Sequence, residues 1–514
     1  VVGEHLLSIV LLSPFLGALA LFLVPGRARS VLRAVALASA IPPLIVAVAL
    51  LVLYDTSAGG FQFLETYPVI PALGIQYHVA VDGLSLSLVL LTAFIYLTGI
   101  TTTWYLAKRE KEFFLFLALL VTGVFGVFVS LDLFLFFLFY ELAVLPMYVL
   151  IGVFGSSMEI EGRGPFGWTY RALRVGIKEY GAMKLTLYLL FGSAFILVAL
   201  FMLYVEGGNH LPRATFDFLQ LESVQDQFSA AGSTAMFLLF YVGFGILAGI
   251  WPFHTWSPDG HASAPAAGSM MHAGVLMKLG AYGVLRVGFQ LLPDAAADLA
   301  WLVGTVAVIN IVYGAIAAGW QTDIKYLIAY SSVSHMGIVM LGLATLTEPG
   351  MAGAVFQMVA HGIMTALLFT LVNMVYDKSH VRDMRRMGGF GHKQPGLATF
   401  FVIAGLSSLG LPALAGFVAE FLVFLGAWSS AHPWWVFPAV LGALITAVYV
   451  LRAVRGIFLG PPNPDFPELQ DARGFEWVTL VVLGGLLLVF GLFPRLLLDS
   501  IDVGVVDLLV RWGG

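Results

Sequence analysis

Six ionisable residues stand in stretches that are otherwise apolar. They are Glu141 in LFFLFYELAVLPMYVL, Lys184 in GAMKLTLYLLFGS, Lys278 in AGVLMKLGAYGVL, His335 in SSVSHMGIVML, His361 in FQMVAHGIMTALLF and Glu420 in LAGFVAEFLVFL. A charge at the middle of a membrane helix costs about 2.5–3.5 kcal/mol on insertion scales. A single one is ordinarily a paired structural group. A set of acids, histidines and lysines recurring across many segments shares a further chemistry: each can take up and release a proton, and its surroundings tune that affinity. Arginine hardly deprotonates, and none is among the six. The pattern points to a buried proton relay.

Three more histidines, His254, His261 and His272, lie in PFHTWSPDGHASAPAAGSMMHAG. Their spacing matches no standard metal-ligand pattern and cysteine is absent, so no metal is expected here. Asp259 and Pro258 read as shaping a polar turn, with His261 near the surface.

The elements that must hold these residues follow from composition. The 514 residues are 60% hydrophobic and 11% charged, with a mean hydropathy of +0.94. A soluble chain of this length carries far more charge, so the fold class is an all-α polytopic membrane protein. The net charge of −5 says little. Without cysteine there are no disulfides, thiolate zinc sites or cysteine-ligated iron–sulfur clusters on this chain. No glycine-rich nucleotide-binding loop is present.

A membrane helix needs about 20 mostly apolar residues. Fourteen such segments are expected: 6–24, 32–53, 84–106, 113–131, 133–154, 184–205, 234–255, 268–291, 298–318, 325–345, 351–376, 396–428, 434–457 and 474–494. The first lacks a basic leader and a small-residue cleavage site, and reads as a span and not a signal peptide. The seventh contains GILAGIWPF with Pro252; the twelfth contains GLSSLGLPALAGF with Pro412. Proline removes a backbone donor, and broken spans at matching positions of two halves mark transport sites. Lysine and arginine gather after odd spans: Arg27 and Arg29; Lys108, Arg109 and Lys111; Arg163, Arg171, Arg174 and Lys178; Lys378 to Lys393; then Arg452, Arg455 and Arg473. Arg213 is the main exception. The positive-inside rule makes those loops cytoplasmic and places both termini on the other side.

At PFHTWSPDGHASAPAAGSMMHAGVLMK, residues 252–278, the chain resembles the antiporter-like membrane subunits of complex I, the proton-pumping NADH:quinone oxidoreductase. VDGLSL at 81–86, FYELAVLPMYVLIG at 140–153, YLIAYSSVSHMGIV at 326–339 and GLPALAGFVAEFLVF at 410–424 agree. The likeness runs nearly end to end and is to the M type, since the L type carries a long extra C-terminal helix. It implies two inverted five-helix repeats with helices 7 and 12 broken. Residues 1–112 would be spans 1–3, residues 113–292 repeat one (spans 4–8), residues 293–457 repeat two (spans 9–13), and 458–514 the last span and tail.

The resemblance also implies roles. Glu141 is the fifth-span acid that biases a lysine partner. Lys184 is a sixth-span lysine, and His254 belongs to the axis near the seventh-span break. Lys278 connects at the centre, His335 and His361 bridge the halves, and Glu420 exchanges protons with the outer side. Quinone, FMN and iron–sulfur clusters belong to partner subunits, with no cofactor on this chain. Partners are the other antiporter-like and membrane subunits, lipids and protons, with no nucleic acid, in a bacterial plasma (inner) or other energy-transducing membrane. The chain is then a translocase subunit of an oxidoreductase and performs no redox step itself. An Mrp-type sodium/proton antiporter or a membrane-bound hydrogenase shares these motifs; a non-pumping spacer is the other alternative.

Two positions depart from the family. Its seventh-span lysine, nine residues before Trp256, is Leu247 here. Glu141 thereby loses its partner: Lys184 replaces it, or Glu141 is protonated at rest, or the input half-channel is altered. His272 stands where M chains have an apolar residue and is expected to take over part of the proton uptake on the cytoplasmic side. The 159–181 insertion is a candidate contact for subunits or headgroups, or a solvated loop.

Overall fold

In lipid a helix satisfies its own backbone polar groups, and the apolar runs are helices accordingly. The structure, a computed structural model, describes residues 5–106, 108–157 and 176–511. Residues 159–175 of the 159–181 insertion lie outside the described residues; Lys178 opens a helix.

The helices of eight residues or more are, in order, α1 (Leu6–Leu23), α2 (Arg29–Leu53), α3 (Gly83–Thr102), α4 (Glu110–Val129), α5 (Leu133–Phe154), α6 (Lys178–His210), α7 (Ala230–Ala248) and α8 (Trp256–Ser263). A continuous helical run, α9 (266–291), follows. Then come α10 (Pro293–Trp320), α11 (Ile324–Ala344), α12 (Glu348–Ser379), α13 (Pro395–Ser408), α14 (Ala415–Ser429), α15 (Val436–Phe458), α16 (Glu476–Leu492) and α17 (Arg495–Arg511). Among the described residues eleven helices are long and apolar enough to cross a membrane, with 230–263 counted once, and twelve if the α16–α17 pair, bent by 66°, is one crossing. α13 and α14 are shorter apolar helices.

Three features were not expected. Strands β1 (Gln62–Ile70) and β2 (Ile75–Val81) form an antiparallel hairpin between α2 and α3. The stretch read as a C-terminal tail is mostly α17. The VDGLSL motif is a helix start: Asp82 caps α3 by accepting from the Ser85 amide, in a capping box, and takes Arg286 at 2.7 Å.

α3, α11 and α12 are buried nearly all round, while α1, α2 and α15 show leucine, isoleucine and valine outward. A helix apolar on every side belongs in a bundle core or in lipid. The inner helices α11 and α12 carry His335 and His361, where protein groups on every side can answer them.

Candidate functional site

Lys278 lies midway along α9 and is fully buried. Two π-helical segments, His272–Leu276 and Val284–Phe289, flank its turn. Its ammonium donates to the Ala273 carbonyl, five residues back, and lies 2.7 Å from His361 Nδ1 on α12. π-Segments shift the hydrogen-bond ladder and free such carbonyls. Close approach of the two backbones brings the pair together. Gly274 and Gly362 face each other, and a Cβ on Gly362 would stand 2.7 Å from the Gly274 carbonyl.

The His361 ring stacks on His335 of α11, centroids 5.2 Å apart. His335 Nδ1 is 2.8 Å from the Ser331 carbonyl and Nε2 is 3.1 Å from the Ser408 carbonyl. Glu420 Oε1 lies 3.6 Å from Nε2. These three neighbours are acceptors, and the Ser331 hydroxyl, 3.4 Å from Nδ1, can take either role. The neutral ring can donate once and the imidazolium twice, so this pocket suits a histidine that gains and gives up a proton. Tyr449 donates to Ser331 at 2.7 Å and closes the wall. Lys278, His361, His335 and Glu420 form one linked series of titratable groups.

The series ends at a broken helix. α13 stops at Ser408, Gly410 is left-handed (φ 73°), and the Leu411 amide bonds the Leu406 carbonyl before α14 resumes at Ala415. The seventh apolar run breaks the same way: Gly249 is left-handed (φ 75°), and the Ile250 amide bonds the Gly245 carbonyl. Both are Schellman stops. Unpaired backbone groups cannot be left in lipid; at the first break Asn310 accepts from the Trp251 amide and Trp256 donates to the Ile246 carbonyl.

The comparisons agree with this architecture. The family model for NADH:quinone oxidoreductase/Mrp antiporter membrane subunits matches residues 174–446, more than half of the chain. NADH-quinone oxidoreductase subunit M of Rickettsia prowazekii is 36% identical over 480 residues, 93% of this chain and 92% of that one. The chain belongs to this family. A chain of respiratory complex I from Thermus thermophilus superposes with a TM-score of 0.84 at 26% identity, covering 98% of this chain and 99% of that one. A chain of the Mrp complex from Dietzia sp. DQ12-45-1b shares the fold, with a TM-score of 0.81 at 20% identity over the full length of both.

At position 247, where the resemblance implies a lysine, the chain has leucine. Leu247 is fully buried, and one carboxylate oxygen of Glu141 has no hydrogen-bond partner among the described residues. Ser193 of α6 is its polar neighbour. Lys184 does not replace the missing lysine. It sits in the second turn of α6 and pairs with Asp259 at 2.7 Å, and Asp259 also accepts from Tyr326 at 2.9 Å. Asp259, read as a turn former, is therefore a partner in a charge cluster.

His261 corrects another expectation, because it is wholly buried and not near the surface. Its ring lies between His272 (3.9 Å) and Phe369 (5.0 Å), and His272 stacks in turn on Trp256 (5.0 Å). His254 is buried against Tyr313. Neither ring nitrogen of His254, His261 or His272 has a protein partner among the described residues. Buried polar atoms of that kind are normally met by internal water. Among the described residues no group of three or more His, Cys, Asp or Glu gathers as metal ligands do. The sequence reading places His261 and Asp259 in a surface turn and passes over Tyr449 and Asn310. A buried segment rich in Ser, Pro, Gly and Asp looks like a surface turn, and an uncharged Tyr or Asn gives no signal against an apolar background.

Proposed function

We propose that this chain is a proton-translocating membrane subunit of a complex I. NADH:quinone chemistry, with FMN, iron–sulfur clusters and quinone, takes place in partner subunits. The observation that carries the reading is the linked series Lys278–His361–His335–Glu420 at the bundle centre, ending at a broken helix. Subunit M relatives and the complex I chain support the same assignment. Fourteen crossings are counted when α9, the α13–α14 pair and the α16–α17 pair are each taken as one, with 113–292 and 293–457 as inverted repeats; the two matching Schellman breaks support that division. The lysine- and arginine-rich loops face the cytoplasm and both termini lie outside.

Lys278 and His361 share one proton between amine and imidazole at 2.7 Å. A charge change in a neighbouring subunit shifts which of them holds it, because paired charges couple strongly in a dry interior. Passage to His335 places a cation 3.6 Å from Glu420, which then protonates and discharges outward. Glu141, Lys184, His254 and His272 belong to the input side.

The test is Lys278→Met in the intact complex reconstituted in liposomes. Quinone reduction is expected to continue uncoupled, with fewer protons moved per electron. An unchanged proton-to-electron ratio would assign this chain a spacer role. The Mrp-type alternative is separated by the subunits that copurify.

A further inference from the structure

We propose that Lys325 is the group that loads protons onto this relay from the face bearing the lysine- and arginine-rich loops. The proposal rests on the relay reading above and replaces the seventh-span lysine with a different inlet. A cavity of about 570 Å³ opens on that face, and Lys325, Asp377, Glu468 and Glu476 are among its lining residues. Its walls come from segments 102–113, 154–156, 264–266, 373–378 and 468–476, each beside a loop that follows an odd-numbered apolar run.

Lys325 is 1% exposed, stands in the first turn of α11 and lines the cavity. Its ammonium donates to the Ala264 carbonyl at 3.0 Å, and among the described residues no carboxylate is within ion-pair distance. The acids nearby are committed elsewhere. Asp323 caps α11 and pairs with Arg382 at 2.9 Å, and Glu476 takes Lys378 at 2.9 Å. Asp377 and Glu468 remain on the wall. A buried lysine without a carboxylate partner gives up its proton far more readily than a salt-bridged one. Lys378 and Arg473 share the wall with these acids, so it carries both signs of charge.

From Lys325 the polar groups lead inward. The Ala264 carbonyl that accepts from Lys325 also faces the Ser269 hydroxyl at 3.3 Å, and that hydroxyl donates to the His261 carbonyl at 3.0 Å. His261 stacks on His272, and the four ring nitrogens have no protein partner among the described residues. His272 lies six residues before Lys278 on α9. The proton balance is simple. Neutral Lys325 takes a proton from solvent in the cavity and yields it to the His261–His272 pair, which passes it to Lys278 and leaves the amine free again.

The experiment compares Lys325→Arg, Lys325→Gln and Lys278→Met in the reconstituted complex. Arginine keeps the charge and the hydrogen-bond donors but does not release a proton. Both Lys325 variants are expected to lower the proton-to-electron ratio by as much as Lys278→Met does. Rescue by arginine would make Lys325 structural and overturn the proposal. A normal ratio in both Lys325 variants beside a lowered ratio in Lys278→Met would overturn the inlet and leave the relay standing. A normal ratio in all three would remove the relay as well. If the Lys325 variants do not assemble, Glu468→Cys decides. The chain has no cysteine of its own, and a bulky maleimide on that exposed wall position leaves Lys325 in place. Full labelling is expected to lower the ratio relative to the unsubstituted complex treated alike; full labelling with an unchanged ratio overturns the proposal.

Discussion

His335 has a carbonyl before each ring nitrogen and a carboxylate 3.6 Å away. Glutamine can donate to one of those carbonyls but cannot carry a proton. His335→Gln is therefore expected to assemble normally and to lower the proton-to-electron ratio as far as Lys278→Met does. Leu247 offers a second test at this scale. An isolated buried charge is costly, and a partnered one much less so. Leu247→Lys is expected to be tolerated with Glu141 present and to reduce the assembled complex several-fold in a Glu141→Gln background, as read by its abundance in membranes. Equal abundance in both backgrounds would show that the two positions do not meet. Charged residues in apolar runs were legible because the membrane makes each one expensive. Their partners were not: pairing Lys184 with Asp259 depends on how α6 packs on α8, and no spacing in the sequence encodes that.

Glycine sets the distance between α9 and α12. Gly362→Val would push its side chain onto the Gly274 carbonyl and onto Leu91. Overpacking of this kind costs about 1–3 kcal/mol. The expected result is a complex that assembles less well and, where assembled, pumps less, because the Lys278–His361 contact opens; a fully active variant would show that the contact tolerates separation. The two helix breaks were readable from Pro252 and Pro412, since proline inside an apolar run leaves few alternatives. The β1–β2 hairpin was not. Its strands show little in-out alternation, because β1 is mostly exposed and β2 mostly buried, and half-buried periodicity is the signal that marks a strand.

Across the whole molecule, the charged cavity and the hairpin lie at opposite ends of the bundle. The hairpin is tied down by Asp217, which accepts from His78 at 2.6 Å and from Gln76 at 2.5 Å, and by Asp132, which accepts from the Gln76 amide at 2.9 Å. Burial alone favours the neutral acid at Asp217, but the hydrogen bonds from His78, the Gln220 amide and Gln76 outweigh it, and its pKa lies below the usual 3.8. A depressed carboxylate stabilises fully above its unfolded value and loses that contribution as pH falls through the folded one. Hydrogen exchange in the β1–β2 strands is therefore expected to be insensitive to this group from neutral pH down to 3.8 and to quicken below it. Asp217→Asn should quicken it at neutral pH; no change there would mean that the clamp holds nothing. The membrane class and the near-complete set of helices were legible from hydropathy, because lipid leaves the backbone few options. The way the eleven or twelve long apolar helices among the described residues enclose one polar seam was not, since it is set by which faces pack together.

The central claim is that Lys278, His361, His335 and Glu420 act as one path. The most direct measurement is the proton-to-electron ratio of the reconstituted complex carrying Lys278→Met, Glu420→Gln, or both. One path predicts the same loss in all three, because a route blocked once cannot be blocked again. Losses that add in the double variant, or a normal ratio in either single variant, would contradict it.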